Sequence, residues 1–282
     1  MMKDPAETTV LITGATAGLG RRVALQLAER GATVLLHGRS KDRCETVLEE
    51  IRRVTGAGEA HYYLADLSSL AAVRGLAEQV LSEHSRLDVL ISNAGVIARE
   101  RQETEDKVEL TFAVNYLSHF LLTNLLLPLL RDSVPARGIN VASAGQSPVD
   151  FDDVMLERGY EGMKAYAQSK LAQIMFTFEL AERLRDTGVN TNALHPATLM
   201  DTKMVLETFG RASSTVQEGA EAVLRLAVSP ELEGETGQYF DGKRQARVSQ
   251  QAYDAEARKR LWTLSEELCG PLLEPLSHRP SK

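Results

Sequence analysis

Cysteine is scarce in this chain, with only Cys44 and Cys269 among 282 residues. Two thiols so far apart build neither a disulfide framework nor a short-spaced metal cage, so a reducing cytoplasm is the expected setting. Long apolar runs are missing too. The longest, 120–130, is interrupted by Thr123, Asn124 and Pro128; it is too short to cross a bilayer and reads as a buried helix. The first nine residues lack the apolar core of a signal peptide, and no membrane anchor is expected. Positive charge is in deficit: the net charge of −7 argues against a general nucleic-acid or anionic-membrane partner. None of the six histidines has metal-ligand spacing, so no metal is expected, and His119, set in an apolar helix, reads as a core residue. Nor is there a Pro/Gly/Ser linker or an internal repeat. With 43% hydrophobic and 25% charged residues, positions 1–282 read as one globular domain with a substantial core.

What is present is an alternation of short β-rich runs and longer amphipathic segments. Strands are expected at 9–13, 33–37, 61–64, 87–92, 138–142, 189–194 and 238–241. Helices are expected at 18–30, after a Ser40 cap, at 69–84, at 110–130, around Tyr166, and in the tail at 255–269. This pattern predicts an α/β fold, a doubly wound parallel sheet of the Rossmann type with about seven strands and helices on both faces. Irregular stretches at 146–162 and 196–214 follow strands five and six, over the carboxyl edge of the sheet where ligands bind in such folds. Val149, Phe151, Met155, Leu199, Met200, Met204 and Phe209 in those loops predict an apolar pocket wall and a lipophilic substrate.

A Tyr and a Lys four residues apart share one face of a helix, and a fixed cation beside a phenol favours the phenolate. With seven Tyr and nine Lys, chance gives only about 0.2 such pairs, yet the chain has three: Tyr160/Lys164, Tyr166/Lys170 and Tyr239/Lys243. Asp241-Gly242 makes the third a turn, and Gly159 and Gly162 weaken the first. Only Tyr166/Lys170 opens a helix free of breakers.

Between the first strand and the first helix lies Thr13-Gly14-Ala-Thr16-Ala17-Gly18-Leu19-Gly20. Glycines there allow a tight turn and close approach of the backbone to a pyrophosphate seated on a helix N-terminus, which points to a dinucleotide. The end of the second strand, His37-Gly38-Arg39-Ser40, has no carboxylate for a ribose diol. Arg39 there suits a 2′-phosphate, so NADP(H) is favoured over NAD(H), with Arg21 as a second candidate.

With these residues the chain resembles the short-chain dehydrogenase/reductase family, closest to its retinol dehydrogenase and WW-domain oxidoreductase branch. The glycine turn, Asp66-Leu67 after strand three, Asn93-Ala94-Gly95 after strand four and Pro196 after strand six carry the likeness. So do Asn115, Ser143, Tyr166 and Lys170, in the order of that family's catalytic tetrad. The resemblance implies that Tyr166 exchanges a proton with a carbonyl or alcohol oxygen, that Lys170 lowers its pKa and that Ser143 orients the substrate. Asn115 would hold a water. Gly14, Thr16, Ala17, Gly18, Leu19, Gly20, Arg39, Asp66, Leu67, Asn93, Ala94, Gly95, Pro196 and Thr198 would join Tyr166 and Lys170 around the cofactor, with Thr202 the alternative to Thr198. It also implies a small-molecule substrate and a homodimer or homotetramer. A dinucleotide-binding sensor without turnover and a sugar-nucleotide epimerase are the competing readings; the complete tetrad speaks against the first and the glycine spacing against the second.

Overall fold

The computed structural model describes residues 4–56 and 59–276. Its frame is one eight-stranded sheet in the order β3-β2-β1-β4-β5-β6-β7-β8. The strands β1 (Thr9–Ile12), β2 (Thr33–Gly38), β3 (Ala60–Leu64), β4 (Val89–Ser92), β5 (Ala136–Val141), β6 (Val189–His195) and β7 (Tyr239–Asp241) are parallel. β8 (Arg244–Gln245) returns antiparallel beside β7. The doubly wound sheet is thus the expected one with a strand added. β8 escapes a sequence reading because its two residues are both exposed and carry no alternation.

Helices cover both faces, which is why the central strands read as continuous apolar runs. Val10, Ile12, Val34, Leu36, Val89 and Ile91 point into one core with α1 (Gly18–Ala28), α2 (Lys41–Thr55) and α8 (Val216–Val228). Leu11, Leu35 and Leu90, one step along each strand, point into the other. That second, larger core holds α3 (Leu70–Glu83), the segment α4 (Leu110–Phe112) to α5 (Ser118–Asp132), α6 (Gly162–Arg183) and α9 (Ala255–Cys269). The remaining helix, α7 (Lys203–Phe209), lies within the stretch expected to be irregular and buries none of its residues, so no apolar period marks it. α8 does carry a signal, a capping box of Thr215 and Glu218 ahead of an apolar face.

Between α4 and α5 the helix passes through a π turn, Ala113–Leu117, where the Ser118 N–H reaches back five residues to the Ala113 carbonyl. The rod Leu110–Asp132 is long and apolar enough to cross a membrane, but 83% of its apolar window is buried inside the protein. Core packing accounts for that composition.

α9 braces α6 from behind. Its Trp262 ring packs 5.0 Å from Phe120 and 5.8 Å from Phe176, and the Arg183 guanidinium lies 3.9 Å over it. Buried Arg258 pairs with Glu179 and Glu182 of α6, and Ser265 meets the Tyr116 hydroxyl at 2.6 Å.

Candidate active site

The sheet order reverses at β1, whose neighbours are β2 on one side and β4 on the other. A crevice opens there at the carboxyl ends of the strands, and ligands bind such crevices. Thr13 and Gly14 leave β1 on one side of it, and Asn93 to Gly95 leave β4 on the other. The two segments are tied together. The Thr13 hydroxyl accepts from the N–H groups of Asn93 and Ala94 at 2.9 and 3.0 Å, and the Asn93 amide donates to the carbonyls of Thr13 and Gly14.

Three elements carry the expected tetrad to this crevice. Ser143 follows β5, Tyr166 and Lys170 lie one turn apart on α6, and Asn115 occupies the π turn. α6 begins at Gly162, so Tyr160 precedes it and shares no helical face with Lys164. Tyr239 and Lys243 flank the β7–β8 turn. Only Tyr166 and Lys170 stand together on a helix, with Nζ 5.5 Å from the phenol ring centroid.

Burial pushes the Tyr166 phenol above its usual pKa, and a hydrogen bond with Ser143 pulls it part of the way back. Burial also drives the Lys170 ammonium down to about 7, and two of its three donors go to the Val141 carbonyl at 2.9 Å and Gln173 Oε1 at 2.8 Å. The Ser143 Oγ accepts from the Gly145 N–H at 3.1 Å, which leaves its own proton for the Tyr166 oxygen. The Ser143 carbonyl is anchored by the Tyr239 hydroxyl and the Gln146 amide. Asn115 is fully buried. Its Oδ1 accepts from Val96 N–H at 2.7 Å and its Nδ2 donates to the Val96 carbonyl and Ser169, so the side chain clamps the chain just past Gly95. A Cβ on Gly95 would stand 3.4 Å from Asn115 Oδ1 and 3.7 Å from Lys170 Nζ, which locates the convergence of the three.

The glycine turn fits a dinucleotide pyrophosphate. Gly14 has φ +66°, and a Cβ there would lie 2.9 Å from Ala94 Cα. At Gly20 a Cβ would strike the Gly14 carbonyl and the Asn93 amide. Ala17 offers no side-chain cap to α1, so first-turn N–H groups stay open to an anion. Thr16 packs against Gly38, and Leu19 turns into the core. At the far end of the crevice, exposed Arg39 lies 3.7 Å from Asp66, whose other oxygen accepts from the N–H and hydroxyl of Ser68. Leu67 is buried in the core. Arg21 is bound bidentately to Glu50 at 2.6 and 2.8 Å, a pairing that a phosphate would have to displace.

After β6, Pro196 is buried, while the hydroxyl of exposed Thr198 lies 3.0 Å from His195 Nε2. Thr202 is the threonine that meets the glycine turn: its methyl would lie 3.2 Å from a Cβ on Gly18. The apolar loop residues divide as well. Val149, Phe151 and Met155 pack into one core and Met200 against the other, whereas Phe209 is 43% exposed on α7. The pocket wall expected from all seven is therefore narrower.

Sequence reasoning missed Gln146, Gln173 and Tyr239, and it assigned His37 and His119 no role in the site. Gln173 has a signal, since it lies three residues after Lys170 on the same helical face. The others meet the site only through tertiary contacts.

Comparison with known proteins agrees with this geometry. Residues 8–211 match the short chain dehydrogenase family. Retinol dehydrogenase 13 of Mus musculus is 40% identical over 280 residues, covering 93% of this chain and 84% of its own. A protein from Mycobacterium paratuberculosis superimposes with a TM-score of 0.78 at 32% identity, over 95% of both chains. A short chain dehydrogenase from Escherichia coli CFT073, solved with NADPH, superimposes with a TM-score of 0.70 at 26% identity, over 84% of this chain and 97% of its own. From the glycine turn to the Tyr166 helix, and across most of its length, this chain belongs to the short chain dehydrogenase family, in its retinol dehydrogenase branch, and is an NAD(P)-dependent oxidoreductase acting on CH–OH groups.

Proposed function

We propose that the protein interconverts a lipophilic aldehyde or ketone and its alcohol with NADP(H), using Tyr166 as the acid–base group. The observation that carries this reading is the Tyr166 phenol one helical turn before buried Lys170 on α6, with Nζ 5.5 Å from the ring centroid and Ser143 after β5 at the carboxyl edge of the sheet. The cofactor supplies the hydride. Ser143 and Tyr166 together hold the substrate oxygen, and the phenol gives it a proton as negative charge develops there. A phenol whose pKa is raised stays loaded at neutral pH, which suits carbonyl reduction. Lys170, with a pKa near 7, is within reach of both charge states under the same conditions.

Arg39 supports the choice of NADP(H): it is exposed at the end of β2, and its weak 3.7 Å pairing with Asp66 yields readily to a phosphate. The lipophilic substrate is supported by the apolar mouth at α7 and by the retinol dehydrogenase relatives. The test is NADPH consumption with a panel of aldehydes and ketones that includes retinal, comparing wild type with Tyr166→Phe. A variant as fast as wild type would remove Tyr166 from the chemistry.

A further inference from the structure

His119 is fully buried on α5, one helical turn past Asn115. Its Nε2 lies 3.0 Å from the Thr13 hydroxyl and its Nδ1 2.9 Å from the Asn115 carbonyl. The proton positions follow from the partners. Thr13 Oγ1 already accepts from two N–H groups, so its own proton has a good acceptor only in His119 Nε2, the Ile91 carbonyl being 3.4 Å away. Nδ1 therefore carries the ring proton and donates it to the Asn115 carbonyl. Gln173 completes the surroundings: its Nε2 is 3.3 Å from Nδ1, while its Oε1 takes a proton from Lys170.

We propose that His119 is a positioning residue that locks the dinucleotide turn to the catalytic π turn, holding Thr13 with one ring nitrogen and the Asn115 carbonyl with the other. The proposal rests on the reading of Tyr166 and NADP(H) given above. His119 touches no reacting atom and acts through Thr13, Asn115 and the neighbouring Gln173–Lys170 pair. The ring stays neutral at working pH because burial, with the Lys170 ammonium facing it, drives its pKa to about 3, so the tautomer and both hydrogen bonds persist.

The molecule contains its own control. His37, also buried, accepts from the Gly14 N–H on Nδ1 at 3.2 Å and reaches the Ala65 carbonyl with Nε2 at 3.1 Å. It holds the same glycine turn but bonds nothing in the catalytic set. Perturbing His37 should weigh mainly on dinucleotide binding, whereas perturbing His119 should alter binding and turnover to similar extents.

Three substitutions separate the two bonds. His119→Leu removes both. His119→Asn keeps a donor to the Asn115 carbonyl, as Asn124 already does to Phe120 at 2.8 Å on this helix. His119→Gln keeps a polar group at the Thr13 end. NADPH affinity is read by fluorescence titration without turnover, and kcat at saturating NADPH with the best aldehyde of the panel. His119→Leu should weaken NADPH binding and lower kcat, each by about tenfold, the usual reach of one buried hydrogen bond. Relative to His119→Leu, His119→Asn should recover kcat but not affinity, and His119→Gln affinity but not kcat. His37→Asn should weaken NADPH binding by a larger factor than it lowers kcat.

If Leu, Asn and Gln give the same affinity and the same kcat, or track only their melting temperatures, the proposal is overturned. Should His119→Leu not fold, the Asn and Gln variants decide by the same crossing pattern. An inactive wild type, or a Tyr166→Phe variant that turns over normally, would sink the catalytic reading instead. The affinity series would then still judge the Thr13 bond, with equal Kd values across all three variants counting against it.

Discussion

The floor of the site and its mouth are built in opposite ways. On the floor, Thr13, Asn115, Lys170 and Gln173 are at least 96% buried, and each is bonded to a partner from a different element or turn. At the mouth, α7 buries nothing, Leu206 and Phe209 are 47% and 43% exposed, and Arg39 holds one loose ion pair. A network in a low-dielectric interior fixes geometry but is costly to disturb, whereas exposed apolar side chains change contacts at little cost in stability. The proposed function thus places the chemistry in the rigid part and the choice of substrate in the adaptable one.

The severest challenge to that division is Tyr166→Phe. It should lower carbonyl reduction by about 10²- to 10⁴-fold with NADPH affinity nearly unchanged, read from initial rates and titration. A loss in affinity as large as the loss in rate would mean that the floor binds rather than catalyses.

Lys170→Met tests the floor through stability. A buried Lys with a pKa of about 7, against 10.5 when unfolded, penalises the fold fully below pH 7, and the penalty fades as pH rises toward 10.5. Wild-type stability should therefore climb between pH 7 and 8 by about 1 kcal/mol, and the variant should lack that climb. This window lies above the span over which His37 and His119 act, from about 4 and about 3 in the fold up to about 6.5 in the unfolded chain. Urea unfolding at the two pH values measures the difference; an equal climb in the variant would trace it to another group.

Arg39→Asp belongs to the rim and should shift the NADPH/NADH preference by about tenfold toward NADH, the worth of one charge-assisted contact. Steady-state kcat/KM with each cofactor decides, and an unchanged ratio removes Arg39 from the phosphate site. The smallest effect is expected from Phe209→Ser: KM for a long-chain aldehyde should rise by about two- to fivefold, with kcat and Tm unmoved. A fall in Tm would show that α7 is part of the scaffold after all.

Legibility in the sequence follows the same division. The sheet could be read because 33–37, 87–92 and 189–194 are short β-rich runs set between helical segments, and local pattern decides such strands. Tyr166, Lys170, Ser143 and Asn115 could be named because their order along the chain is itself a signal. The pKa relation between Tyr166 and Lys170 could not be read, since spacing places the charge but says nothing of the burial that dominates it. His119 was legible as a buried residue and illegible as a link. Its two partners lie 106 residues apart from it and four residues apart from it, and only the packing of α5 against β1 joins the three. α7 was hidden because it has no buried face to impose a period.

The brace that α9 forms behind α6 has a consequence for biosynthesis. Arg258 reaches Glu182 across 76 residues of sequence, and Ser265 reaches Tyr116 across 149. At roughly 5–20 residues per second of synthesis, Tyr166 and Lys170 leave the ribosome about 5–20 s before Trp262 exists to cover Phe120 and Phe176. A nascent chain thus holds every catalytic group while a greasy seam beside them lies open, an opening for chaperones or for aggregation. Maturation of the enzyme waits on its last helix.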